Sequence, residues 1–203
     1  MTKNTAYKIL TSVSAASCLI IASPVAPSAQ TVDDLIQVCA GCHGEKGVPT
    51  DKTTPVIWGQ RRAYLLNQLY DFKIGRRKNE LMSPVADSLS KADMEALATH
   101  FSNMQWPDLQ QPPPPADAQS TAQEVLNSMN CRECHQDNYQ GDTTRPRIAG
   151  QYEEYLFKTM TDFRNGDRKT YMGMTALMRA VDESALKPVA AYLASLKIAS
   201  PPK

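Results

Sequence analysis

The sequence predicts an all-α protein built from two similar halves. The pentapeptide Cys-x-x-Cys-His occurs twice, beginning at Cys39 and at Cys131. Apolar residues recur at helical spacing, and no segment alternates with the two-residue period of a strand. A proline-rich stretch, residues 105–118, separates the two copies. These observations indicate two helical domains, residues 30–104 and 119–203, joined by a semi-rigid linker.

Three helices are predicted in the first half. A capping box formed by Thr31 and Asp34 starts a helix that runs into the first Cys-x-x-Cys-His motif. A second helix ends near Gly75, and a third starts at Ser90. The apolar faces consist of Leu65, Leu66, Leu69 and Phe72 in the second helix and of Met94, Leu97 and Phe101 in the third.

The second half repeats this order. Ser120 is the predicted N-cap of a helix that runs into the second motif, and the segment Pro146–Gln151 corresponds to Pro55–Gln60. Asp182 opens the last helix. Pro188 lies about two turns inside that helix and is expected to perturb it, because proline removes a backbone donor.

Residues 1–29 have the pattern of a secretory signal peptide. Two lysines precede a short apolar stretch, and small residues lead to Ala29, where we expect cleavage. Cleavage after the small residues 26–28 is an alternative. An uncleaved anchor is disfavoured because the apolar stretch is short for a spanning helix, and a lipoprotein signal at Cys18 lacks the usual preceding residues. Export to the periplasm is therefore expected.

The two Cys-x-x-Cys-His motifs have the spacing of covalent c-type haem attachment. Two thiols one helical turn apart each add to a vinyl group, and the adjacent histidine offers an imidazole nitrogen to the iron. Removal of the signal with Cys18 leaves four cysteines, all within the motifs. The sequence therefore predicts two covalently bound haem c groups, attached through Cys39, Cys42, Cys131 and Cys134, with His43 and His135 as iron ligands.

Other uses of these cysteines fit less well. A zinc site takes four ligands, whereas each motif supplies three. A thioredoxin-like site needs a βαβ setting, and disulfide bonds would not require a histidine at the same place twice. The chain is 42% hydrophobic and 21% charged with a formal net charge of +1, so it is globular and no nucleic-acid partner is indicated.

Each iron needs a second axial ligand, and methionine sulfur is the expected one. Thioether sulfur is soft, stabilises Fe(II) and raises the reduction potential. Met82 is the candidate in the first half, on the loop between the second and third helices. The 92-residue offset between the two motifs places Met174 at the equivalent point, with Met172 as the alternative because of a one-residue indel. His100 lies on the polar side of a helix and is expected to be a surface residue.

The tandem motifs, the paired Pro-x-x-x-Gly-Gln segments that begin at Pro55 and Pro146, and the two methionines resemble the dihaem cytochromes c of the cytochrome c4 family. The resemblance covers nearly the whole mature chain. It implies two class I cytochrome c domains related by a pseudo-twofold axis. It also implies that the carbonyls of Pro55 and Pro146 accept hydrogen bonds from the proximal histidines.

The resemblance implies an electron carrier of the periplasm and not an enzyme. The implied donor is a quinol:cytochrome c oxidoreductase, and the implied acceptor is a terminal oxidase or reductase, with loose membrane association possible. One alternative is the cytochrome subunit of a flavin-linked or other periplasmic dehydrogenase. Another is a catalytic haem protein, such as a peroxidase or a thiosulfate-oxidising enzyme, which requires an open iron site.

Overall fold

The computed structural model describes residues 30–197, together with Met1. The expected signal peptide and its cleavage near Ala29 lie outside the described residues. Between residues 30 and 197 the regular structure is helical, and the only β feature is an isolated bridge between Asp142 and Arg145. None of the helices described there is long and apolar enough to cross a membrane. The predicted all-α fold is confirmed.

The first half contains four helices, two of which begin at capping boxes. At the predicted N-caps Thr31 and Ser90, the hydroxyl accepts a hydrogen bond from the backbone N–H three residues later. The carboxylate of the aspartate at that position accepts one from the N-cap backbone N–H. Both capping boxes are confirmed and satisfy donors that the first turn of a helix leaves free. The helices are α1 (Val32–His43), α2 (Arg62–Lys73), α3 (Met82–Ser88) and α4 (Lys91–Ser102).

The second half repeats the arrangement with one additional break. The segment before its Cys-x-x-Cys-His motif is separated from the motif by Met129 and by Asn130, which has a positive φ of 50°. The motif therefore forms a short helix of its own. The helices are α5 (Ala116–Ser128), α6 (Cys131–His135), α7 (Glu153–Asn165), α8 (Met172–Ala180) and α9 (Glu183–Ser195), with a 3₁₀ turn at Asp137–Tyr139.

Three local expectations need correction. Ser120 is not an N-cap, because α5 begins at Ala116, directly after Pro115 and within the range expected for the linker. Proline with its fixed φ suits the start of a helix, and here it outweighs the apparent capping signal. Met82 is the first residue of the short helix α3 and not part of a loop. The helix α9 continues through Pro188, so the expected perturbation does not interrupt it.

Each half has its own apolar core. In the first half, α2 packs on α3 and α4, with Leu97 only 1% exposed. In the second half, α9 packs against α5 and α7, with Leu186 also 1% exposed. The six buried residues of α9 that make this contact hold the helix in place on both sides of its proline. The two cores position the Cys-x-x-Cys-His helices and the methionine helices at the edges of one shared cavity.

Reciprocal hydrogen bonds connect the two halves. Gln60 contacts the backbone of Arg147, and its counterpart Gln151 contacts the backbone of Val56 in the same manner. Because equivalent residues exchange equivalent bonds, the halves are related by an approximate twofold axis. This symmetry brings the Pro55 and Pro146 segments together at the centre of the molecule.

Candidate haem sites

A large cavity of about 1040 Å³ is lined by residues of both halves. Apolar side chains from the two cores form much of its wall, which is the environment that a porphyrin ring requires. Every residue that the sequence predicts to attach a haem or to bind its iron also lines this cavity. These residues are Cys39, Cys42, His43 and Met82 from the first half and Cys131, Cys134, His135 and Met174 from the second.

The cysteine pairs lie on short helical stretches, one at the end of α1 and one forming α6. All four thiols are free, and burial raises the pKa of Cys39 to about 11. Burial also raises the pKa of Cys131. Within residues 30–197 no cluster of three or more His, Cys, Asp and Glu residues is arranged so that it could hold a metal ion.

The two motif histidines are fixed by backbone carbonyls. His43 Nδ1 lies 2.8 Å from the Pro55 oxygen, and His135 Nδ1 lies 3.0 Å from the Pro146 oxygen. A carbonyl only accepts, so Nδ1 carries the proton and Nε2 is the nitrogen left to bind a metal. This confirms the hydrogen bonds that the resemblance implied. Burial lowers the pKa of both rings and outweighs the opposing effect of these bonds, which favours the neutral imidazole that iron binds.

The methionines differ in their access to the cavity. Met82, at the start of α3, and Met174, in the first turn of α8, are half-buried and line the cavity. Met172 is 70% exposed, and its side chain does not contribute to the wall formed by the described residues. Met160 and Met178 also line the cavity, but both are buried within the core of the second half. The geometry therefore favours Met82 and Met174 as sulfur donors.

Two arginines at the boundary between the halves form a cationic cluster. Arg168 is 4% exposed and donates hydrogen bonds to Tyr64 Oη at 3.1 Å and to Gln68 Oε1 at 2.6 Å. Arg77 donates to the same Gln68 oxygen at 2.9 Å and to Tyr155 Oη at 3.0 Å. Among the described residues, neither guanidinium lies within 4.0 Å of a carboxylate.

The charge of this cluster perturbs Tyr155. Burial raises the pKa of Tyr155, but the charges of Arg77 and Arg168 and the hydrogen bond from Arg77 outweigh burial and lower the pKa to about 8. A buried positive charge without an anionic partner is costly. The propionate carboxylates of haem would supply such a partner, and both arginines line the cavity. The residues present therefore fit two haem groups.

Arg77 and Arg168 were not among the site residues predicted from the sequence. Their spacing could have indicated that they are equivalent, because Arg77 and Arg168 have the same 91-residue offset as Tyr64 and Tyr155. Gln60 and Gln151 share this offset, but nothing in the sequence indicated that each contacts the opposite half.

Known proteins share both the sequence and the fold. The cytochrome c4 of Azotobacter vinelandii is 32% identical over 159 residues, which cover 71% of this chain and 75% of that protein. The chain belongs to the cytochrome c4 family. Membership of this family agrees with the duplicated motifs, the twofold arrangement and the shared cavity. The protein is therefore a dihaem electron-transfer cytochrome with covalently bound haem.

Three further comparisons agree with membership of this family. A protein named thiosulfate dehydrogenase electron acceptor, from Stutzerimonas stutzeri, is 30% identical over 174 residues and covers 78% of each chain. A solved structure of cytochrome c4 from Acidithiobacillus ferrooxidans superimposes with a TM-score of 0.71 at 30% identity, covering 79% of this chain and 99% of that one. The general cytochrome c family also matches residues 119–197, within the second half.

Proposed function

We propose that each haem iron is held between a histidine and a methionine, His43 with Met82 and His135 with Met174. The observation that carries this proposal is that both sets line one cavity in equivalent positions, with each histidine Nδ1 already bonded to a carbonyl. The four motif cysteines are proposed as the thioether attachments.

These residues suit reversible one-electron transfer. The bound haem supplies the Fe(III)/Fe(II) couple. The Pro55 and Pro146 carbonyls orient the imidazoles, the soft sulfurs favour Fe(II), and the apolar wall excludes water. With a nitrogen and a sulfur donor at each iron, no coordination position remains for a substrate. The protein is therefore proposed as a carrier and not as an enzyme.

The proposed location is the periplasm, and the proposed partners are redox proteins. The signal-like residues 1–29 support export, because a segment of this pattern directs secretion and is removed from the mature protein. A quinol:cytochrome c oxidoreductase is the proposed donor, and a terminal oxidase or reductase is the proposed acceptor.

A second candidate is a role as the electron-accepting partner of a periplasmic dehydrogenase. The relative named thiosulfate dehydrogenase electron acceptor favours this role. Reduction of the purified protein by a dehydrogenase from the same organism, together with stable co-purification, would support this candidate. Rapid reduction by quinol:cytochrome c oxidoreductase without a stable complex would support the first.

Mass spectrometry and a redox titration of the exported protein test the proposal. We expect the mass of the chain without residues 1–29 plus two haems, and two one-electron steps. The oxidised protein should show the weak absorption band of an iron–methionine bond, and the reduced protein should not bind carbon monoxide rapidly. One haem, or rapid carbon monoxide binding, would contradict the proposal.

A further inference from the structure

The peptide group between Pro55 and Val56 is hydrogen-bonded at both ends. Its carbonyl oxygen accepts the proton of His43 Nδ1 at 2.8 Å. Its N–H, which belongs to Val56, donates to Gln151 Oε1 at 2.9 Å. Gln151 lies in the opposite half of the molecule. A single peptide unit therefore connects the proximal histidine of the first half to a side chain of the second.

The second half has the same connection in the opposite direction. The carbonyl of Pro146 accepts from His135 Nδ1 at 3.0 Å, and the N–H of the same peptide unit, on Arg147, donates to Gln60 Oε1 at 2.8 Å. Gln60 belongs to the first half. The two connections are thus reciprocal, and each crosses the boundary between the domains once.

Both glutamine amides are held in fixed orientations. Gln60 and Gln151 are only 4% and 2% exposed. Gln151 Nε2 donates to the Val56 carbonyl at 3.1 Å, and Gln60 Nε2 donates to the Arg147 carbonyl at 2.9 Å. Each Oε1 also accepts the N–H of the following residue, Tyr152 or Arg61. This bonding defines which amide atom is oxygen, because the carbonyls require a donor.

Hydrogen bonds in series polarise one another, so a peptide that donates through its N–H becomes a stronger acceptor at its carbonyl. A stronger acceptor at histidine Nδ1 makes the imidazole a stronger electron donor to a metal, which stabilises Fe(III) and lowers the reduction potential. We propose that Gln60 and Gln151 are positioning residues, through which each domain lowers the reduction potential of the haem in the other. This inference rests on the proposed iron ligation by His43 and His135.

Gln151→Met in the haem-loaded protein tests this inference, because methionine keeps the length of the side chain but removes the amide. We expect the potential of the first-domain haem to rise more than that of the second-domain haem. In the reduced protein, the NMR signal of the His43 Nδ1 proton should move upfield while that of His135 stays in place. Gln60→Met should reverse the pattern, and it tests the same relationship if Gln151→Met does not fold.

Tyr152→Phe is the matched control. It removes another buried hydrogen bond between the halves, from Tyr152 Oη to the Pro49 carbonyl at 2.8 Å, and leaves both proline peptides intact. We expect no change in either potential or in either histidine proton. The inference is overturned if Gln151→Met shifts its own domain's haem most, shifts both haems equally, or has no more effect than Tyr152→Phe. Failure of the proposed ligation would be visible separately, as the absence of iron–histidine signals in the unmodified protein.

Discussion

Arg77 and Arg168 reach across the domain boundary to equivalent partners. Arg77 donates to the Tyr155 hydroxyl of the second half at 3.0 Å, and Arg168 donates to the Tyr64 hydroxyl of the first half at 3.1 Å. The tyrosines accept these bonds but do not neutralise the two charges. Buried charges of one sign are tolerated when an anion compensates them. The propionates of the two proposed haems would be the compensating anions, because both arginines line the cavity.

We expect Arg168→Gln to lower the reduction potential of both haems. Loss of a buried positive charge stabilises Fe(III) relative to Fe(II), because the ferric haem carries one more positive charge than the ferrous haem. A charge interaction of roughly 1 kcal/mol corresponds to about 40 mV for a one-electron couple. A spectroscopic redox titration of the purified variant measures both shifts.

Arg62→Gln is the control for this experiment. Arg62 is exposed and donates to Thr99 on the surface of the first half, so solvent screens its charge. The two haem reduction potentials of this variant should stay within about 10 mV of those of the unmodified protein, because exposed charges contribute little. Equal shifts in both variants would mean that Arg168 acts only through net charge.

Tyr155 reports whether an anion compensates the arginine cluster. With Arg77 and Arg168 alone, the pKa of Tyr155 is about 8, below the ordinary value of about 10. Because the pKa of Tyr155 is lower in the folded state than in the unfolded chain, its ionisation adds to the free energy of unfolding. This contribution is complete above about pH 10 and is lost as the pH falls through about 8. Propionates paired with the arginines would cancel this effect. We therefore expect no such rise in the free energy of unfolding of the haem-loaded protein.

Tyr155→Phe provides the comparison. Denaturant unfolding of the unmodified protein and of this variant between pH 7 and pH 10.5 should give parallel pH profiles. A gain in stability above pH 8 that is present only in the unmodified protein would show that Tyr155 ionises there, and that its arginine neighbours lack a compensating anion.

The methionine assignment predicts different results for two neighbouring residues. Met174→Ala should remove about half of the iron–methionine absorption band of the oxidised protein, because one of two sulfur ligands is lost. It should also allow carbon monoxide to bind one reduced haem. Met172→Ala should leave the band intact, because the Met172 side chain is 70% exposed. The opposite pair of results would assign the sulfur ligand to Met172.

Much of the site could be predicted from short-range sequence signals. The motif histidines, the capping boxes at Thr31 and Ser90, and the equivalence of Met82 and Met174 each depend on residues a few positions apart or on a repeated spacing. Such patterns reflect local chemistry, namely the reach of a thiol pair or of a capping side chain. They hold wherever the rest of the chain folds as a helical domain.

The contacts between the domains could not be predicted in the same way. Gln60 and Gln151 are separated from their backbone partners by 87 and 95 residues. A glutamine after a glycine has no local property that reveals a partner so distant. The Tyr64 and Arg168 contact has the same origin. These bonds result from the relative placement of two folded units, which local periodicity does not encode.

Two local signals compete for the start of α5, namely Pro115 and the apparent N-cap Ser120. Alanine substitutions at Ser90 and Ser120 test which signal determines the helix start. Ser90→Ala should reduce the free energy of unfolding by about 1 kcal/mol, because Ser90 Oγ accepts the Asp93 N–H at the N-cap of α4. Ser120 lies exposed within α5, so Ser120→Ala should change stability by less than about 0.5 kcal/mol. Urea unfolding of both variants measures the difference. A loss of about 1 kcal/mol in Ser120→Ala would restore Ser120 as the N-cap and move the start of α5 from Ala116 to Thr121.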